Sequence, residues 1–222
     1  MNTKGTINNY VKFSDKFGGV RKCYEGKPII AVGGFSCDKA LMPLDGAAMA
    51  AGTLVYADEQ ARTIIPIYTF KVLAVDVNAK TVKVEKFETG SIAKVGMKLL
   101  VVGDDLTQAV SNIATVTAVD ASAPDYDILT MDNVAEESTA FIAEGDVLAE
   151  AQSAEVKKIK ALPNGLTYCD NVLGDKAYAI DIDYIWNCME KPVLERRMPP
   201  LTASLKKALR DNECYFRFSN RK

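Results

Sequence analysis

Apolar and polar residues alternate along much of this chain with the two-residue period of β-strands. Lys80-Thr81-Val82-Lys83-Val84-Glu85-Lys86-Phe87 sets valines among charged and hydroxyl side chains, which predicts a half-buried strand. Tyr178-Ala179-Ile180-Asp181-Ile182-Asp183-Tyr184-Ile185-Trp186 does the same, with Tyr178, Ile180, Ile182, Tyr184 and Trp186 on one face and Asp181 and Asp183 on the other. Thr53-Leu54-Val55-Tyr56, Ile64-Ile65-Pro66-Ile67-Tyr68 and Phe70-Lys71-Val72-Leu73-Ala74-Val75 are short, rich in β-branched and aromatic residues, and bounded by Gly, Asp-Glu and Pro. Pro28-Ile29-Ile30-Ala31-Val32, between the pairs Gly18-Gly19 and Gly33-Gly34, predicts a strand leading out of a loop-rich arm.

A helical period appears once with conviction. Leu201, Leu205, Ala208 and Leu209 recur at i, i+4, i+7 and i+8, opposite Lys206, Lys207 and Arg210. Pro199-Pro200 cannot extend a helix backward, Thr202 is placed to cap it, and Asn212 to end it in the left-handed region. A helix is therefore predicted over 202–211, with a last strand at Cys214-Tyr215-Phe216-Arg217-Phe218. The alanine-rich 47–51 could form one helical turn, fenced by Gly46 and Gly52.

One pattern occurs twice. Val72-Leu73-Ala74-Val75-Asp76-Val77-Asn78-Ala79 matches Val116-Thr117-Ala118-Val119-Asp120-Ala121-Ser122-Ala123. Each copy has the side-chain chemistry of an Asx turn after its first strand, a second strand, and then a glycine-led apolar strand: Gly96-Met97-Lys98-Leu99-Leu100, and Gly145-Asp146-Val147-Leu148. The order strand, turn, strand, linker, glycine-led strand points to an internal duplication of a small β unit. The fold expectation is mainly β: a short-stranded sandwich or partly closed barrel with that duplication, plus a short C-terminal helix and strand. By organisation, 1–40 reads as a loop-rich arm, 41–151 as the β module, and 152–222 as a C-terminal α+β segment that could serve as an assembly strap.

Composition narrows the chemistry. The chain has 222 residues and no histidine, which removes Ser-His-Asp and Cys-His nucleophile systems, His-ligated metal sites and histidine pH switches. A net charge of −2 advertises no nucleic-acid or anionic-membrane partner. No apolar run is long enough to span a bilayer, and residues 1–10 lack the apolar core of a signal peptide. Cys23, Cys37, Cys169, Cys188 and Cys214 are an odd set without C-x-x-C spacing and read as small apolar side chains made in a reducing cytoplasm. No G-x-G-x-x-G or G-K-[ST] motif is present. Asp181 and Asp183 could serve a cation or an acid–base pair, but on an amphipathic strand they read first as a solvated face. No enzymatic activity, metal or cofactor is expected.

The segment Lys191-Pro192-Val193-Leu194-Glu195-Arg196-Arg197-Met198-Pro199-Pro200 mixes arginine and methionine, which favour interfaces, with prolines that stiffen an extended run. Together with the helix stripe it nominates Arg196, Arg197, Met198, Leu201, Leu205 and Leu209 as partner-binding residues. Tyr178, Tyr184 and Trp186 could alternatively stack on sugar rings, making the chain a β-rich binding module for carbohydrate or a bacterial surface.

Gly52-Thr53-Leu54-Val55-Tyr56-Ala57-Asp58, followed by Pro66-Ile67-Tyr68, Lys71-Val72-Leu73-Ala74-Val75 and later Gly145-Asp146-Val147-Leu148, resembles the small β modules of tailed-bacteriophage head decoration and head-fibre proteins. The likeness covers about half the chain, residues 41–151, through loose motifs. It implies a non-catalytic virion protein made in the bacterial host cytoplasm, assembling on a phage capsid protein and with itself, commonly as a trimer.

Overall fold

The structure, a computed structural model, describes residues 9–10, 13–14, 19–20, 22–43, 47–136, 139–173 and 179–220. Three two-residue strands, β1 (Asn9–Tyr10), β2 (Phe13–Ser14) and β3 (Gly19–Val20), precede the longer β4 (Ile29–Asp38). Next come β5 (Leu54–Asp58), β6 (Thr63–Ile67), β7 (Thr69–Asp76), β8 (Thr81–Glu85) and β9 (Lys98–Val101). They are followed by β10 (Ala114–Asp120), β11 (Tyr126–Met131), the small β12 (Ala135–Glu136) and β13 (Thr139–Ala140), and β14 (Val147–Glu150). The chain ends through β15 (Gly165–Thr167), β16 (Val172–Leu173), β17 (Ala179–Leu194), the helix α1 (Ala203–Asp211) and β18 (Tyr215–Ser219).

Six strands close into an antiparallel barrel in the order β7-β8-β11-β10-β9-β14, with β14 returning to β7. Alternation fills its inside: Phe70, Val72, Val82, Val84, Leu99, Val116, Leu129, Met131 and Leu148 are all buried. The duplicated pattern is its organising principle. In the first copy Val72, Ala74, Val75 and Asp76 face Val84, Lys83, Val82 and Thr81, with a bulge after Val72. In the second, Val116, Ala118, Val119 and Asp120 face Met131, Thr130, Leu129 and Ile128, with a bulge after Val116. Both turns are Asx-stabilised: Asp76 Oδ1 accepts from the Asn78 amide, and Asp120 Oδ1 from the Ser122 amide. Each copy then passes its third strand to the other, since β9 pairs with β10 and β14 with β7. The exchange repeats to the bond: Gly96 N–H donates to Val116 C=O, and Gly145 N–H to Val72 C=O. Both glycines sit near φ +90° (88° and 90°), a conformation side chains resist. The two copies are related by a pseudo-two-fold axis through the pairs Val82–Leu129 and Leu100–Ala149.

The second sheet is also closed. β15, β5, β6, β4 and β17 form a five-membered ring, completed where β15 pairs with β17, and β18 is added parallel to the far half of β17. Phe35, Cys37, Val55, Ala57, Ile64, Ile180, Ile182 and Tyr184 fill it, and its interior is continuous with that of the barrel in one apolar cluster. β5 and β6 thus belong with β4, β15 and β17, and the sheet boundaries fall at Thr69 and Glu150 inside the 41–151 module read from sequence. A second apolar layer joins the outer sides of the two closed sheets (Leu54, Ile67, Leu100, Ala149, Ile185) to Leu205 and Leu209 of α1.

Two local expectations change. Residues 47–51 form no helix, because Asn171 takes both backbone bonds of Met49 and the Asp170 carboxylate accepts from the Ala51 amide. Thr202 caps α1 as predicted, accepting from the Leu205 amide. Asn212 ends the helix at φ −96°, however, and the left-handed residue is the next one, Glu213, at φ 62°.

Candidate functional site

The segment nominated as a strap is anchored to its own chain. Leu194 N–H donates to Cys23 C=O, Glu25 N–H donates to Pro192 C=O, and Glu195 pairs with Lys206 at 2.7 Å. Met198 is buried where Gly52, at φ 82°, leaves it room: a Cβ at that glycine would lie 2.7 Å from the Met198 Cβ. Leu205 and Leu209 are fully buried and Leu201 half-buried in the second apolar layer. Of the six nominated residues, then, Met198, Leu205 and Leu209 are inside the protein's own core, because the helix stripe needs an apolar cover and finds it on the closed sheets. Arg196 is exposed, and Arg197 and Leu201 are half-buried.

Between strap and barrel lies a cavity of about 450 Å³, bordered by Lys71, Glu85, Arg196, Pro199 and Leu201. Its wall includes a buried ion pair, Lys86 Nζ to Asp127 Oδ1 at 2.9 Å, with the side chains 10% and 3% exposed. Lys86 also donates to the carbonyls of Ala121 and Ala123. The ammonium is thereby matched on three sides, a structural use of charge.

On β17, Asp181 and Asp183 are exposed as the strand pattern predicts. Partial burial first, then the like charge of Asp181, raises the Asp183 carboxyl above the usual range. Among the described residues no group of three or more Cys, Asp or Glu is placed to hold a metal ion. Two of the three aromatic residues considered for stacking, Tyr184 and Trp186, are described. Tyr184 is buried, edge-on to Phe35 at 5.0 Å, and its hydroxyl donates to Glu59 Oε1. Trp186 is 37% exposed, and Tyr178 lies outside the described residues. The single alternation read from sequence breaks because β17 is bulged between Ile185 and Asn187 and changes its buried side there. Ile185 and Cys188 face the second apolar layer, and Trp186 turns outward.

That turn creates a surface which sequence reasoning did not assemble. Ile29, Asn187 and Tyr215 stand side by side across β4, β17 and β18, so their side chains share a face. Ile29 (48%) and Tyr215 (47%) are exposed on that face, and Met189 (54%) and Trp186 are exposed on β17 within two residues of Asn187. Four residues of β17, 189–192, are extruded where β18 passes from Cys188 to Val193, which puts Met189 outward. Beyond this face lies the outer edge of β18, next to a groove of about 440 Å³ that runs from β18 to α1.

No known protein family, characterised protein or solved structure matches the chain.

Proposed function

We propose that the chain is a non-enzymatic structural protein of a bacteriophage virion, a head decoration or head-fibre component that works by assembling with itself and docking on the capsid. The observation that carries this reading is the exposure of Ile29, Trp186, Met189 and Tyr215 on the three neighbouring strands β4, β17 and β18. Exposed large apolar side chains on neighbouring strands favour contact with another surface. Two closed sheets behind it give a rigid mount. The resemblance to phage β modules supplies the setting.

Light scattering across a range of concentrations tests the proposal. A defined oligomer is expected, and Trp186→Arg should weaken it by about 2 kcal/mol, the scale of an interface tryptophan. A monomer at every concentration that also fails to bind purified phage heads would overturn it. A second reading, a binding module for carbohydrate or a cell surface, draws on the exposed rings of Trp186 and Tyr215; it requires glycan-dependent quenching of Trp186 emission.

A further inference from the structure

The cavity between strap and barrel has polar groups on its border that the protein itself uses only in part. Its floor is the outer side of the barrel. Phe70 and Val72 fill the barrel core, so Thr69 and Lys71, one step away on β7, face outward. Val147 of β14 lies opposite Lys71, and Pro199 and Leu201 of the strap close the other side. At about 450 Å³ the space falls in the range of small-molecule sites. Two buried oxygens of bordering residues make no hydrogen bond, Thr69 Oγ1 and Asp127 Oδ1. Both residues are at most 3% exposed. Lys86 gives Asp127 a counter-charge at 2.9 Å, but a carboxylate has room for further donors. A buried oxygen left without a donor is costly, and the adjoining space is where a donor can come from.

The border also restricts the ligand. Among the described residues three cations (Lys71, Lys86, Arg196) and three carboxylates (Glu85, Asp127, Glu195) surround the space, so neither sign of ligand charge is favoured. Lys86 faces Asp127, Lys71 stands 3.8 Å from Glu85, and Glu195 is held by Lys206. A wholly apolar ligand would seal Thr69 Oγ1 and Asp127 Oδ1 away from any donor. A neutral molecule with hydroxyls on one edge and a C–H face meets both requirements.

We propose that this cavity binds a neutral sugar of one or two rings. Its hydroxyls would donate to Asp127 and bond with Thr69, and its C–H face would lie against Val147, Pro199 and Leu201. One staggered χ1 step turns the threonine hydroxyl toward a ligand on that wall. The site shares no residue with the face that carries Trp186 and Tyr215, and it needs nothing from the assembly reading.

NMR titration of the full-length, isotope-labelled protein tests the proposal. The probes are glucose, maltose, N-acetylglucosamine and chitobiose, each added separately, with glucosamine and glucuronate as charged controls. At least one neutral sugar should shift the amides of Thr69, Gly145, Val147 and Leu201 saturably, and bind more tightly than either charged control. Thr69→Val should weaken that binding about fivefold. Its thermal melt should stay at or above the wild-type midpoint, because the substitution removes a buried hydroxyl that has no partner; a threonine with a purely structural role would lower it. Val147→Trp, which fills the space, should abolish binding. No saturable shift with any of these sugars at tens of millimolar, tighter binding of glucosamine or glucuronate, or unchanged affinity in Thr69→Val would overturn the proposal. So would binding that is lost in Trp186→Ala and kept in Val147→Trp, which would place the sugar on the outer face instead.

Discussion

Asp183 shows how one residue's setting sets a pH dependence. Its carboxyl is raised in the folded protein, by partial burial and then by the charge of Asp181. The folded state therefore binds that proton more tightly than the unfolded chain does, and stability falls as pH rises through the ordinary aspartate range toward the folded value. Asp183→Asn, which cannot ionise, should raise the melting temperature at pH 7. The gain should vanish at pH 3, where the wild-type carboxyl is itself protonated. Thermal melts at the two pH values check this, and a gain that persists at pH 3 would place the effect elsewhere. That Asp181 and Asp183 face solvent was legible from alternation alone. The raised Asp183 carboxyl was not, since it depends on how much protein that side chain meets.

At the scale of elements, the pair Lys86–Asp127 joins the end of β8 to β11 in the barrel wall. Lys86→Met would leave the Asp127 carboxylate, 3% exposed, without its counter-charge, at a cost of about 3–5 kcal/mol in urea unfolding. Lys86→Met with Asp127→Leu should recover most of that loss, because the apolar pair strands no charge. The sequence signals were good wherever an element's pattern was local. The Asx turns at Asp76 and Asp120, the alternation of β8 and the cap at Thr202 all depend on neighbours a few residues away. Lys86 looked like one more charge on a half-buried strand, because its partner lies far along the chain. The bulge that turns Trp186 outward left only one local trace, the apolar Ile185 on the face of Asp181 and Asp183, and its register slip answers to β4.

For the whole molecule, the C-terminal piece is structural before it is anything else. Removing residues 195–222 would take away Met198, Leu205 and Leu209 from the second apolar layer and β18 from β17. The expected result is loss of a cooperative melt and a red shift of Trp186 emission. A truncated chain that melts like the full one would show this layer to be dispensable. The same distinction explains which part of the nominated contact set sequence could find. A stripe at helical spacing says that a helix has a partner, without saying whether the partner is another molecule or the chain's own sheets. Closure of the second sheet was illegible for a related reason. β4 is separated from β15 and β17 by the entire barrel, and no local pattern announces that they meet.

The exchange of third strands in the barrel also sets an order of events during synthesis. Among the described residues β9 pairs only with β10 and β14, both of which follow it in the chain. At about 5–20 residues per second, the stretch from β9 to the end of β14 takes roughly 3–10 seconds to emerge. Through that interval the apolar Leu99-Leu100-Val101 has been made and its seat has not. Two nascent chains side by side hold matching strands and matching vacancies. If each donates its third strand to the other, they become joined through contacts the barrel already contains, with no new interface required.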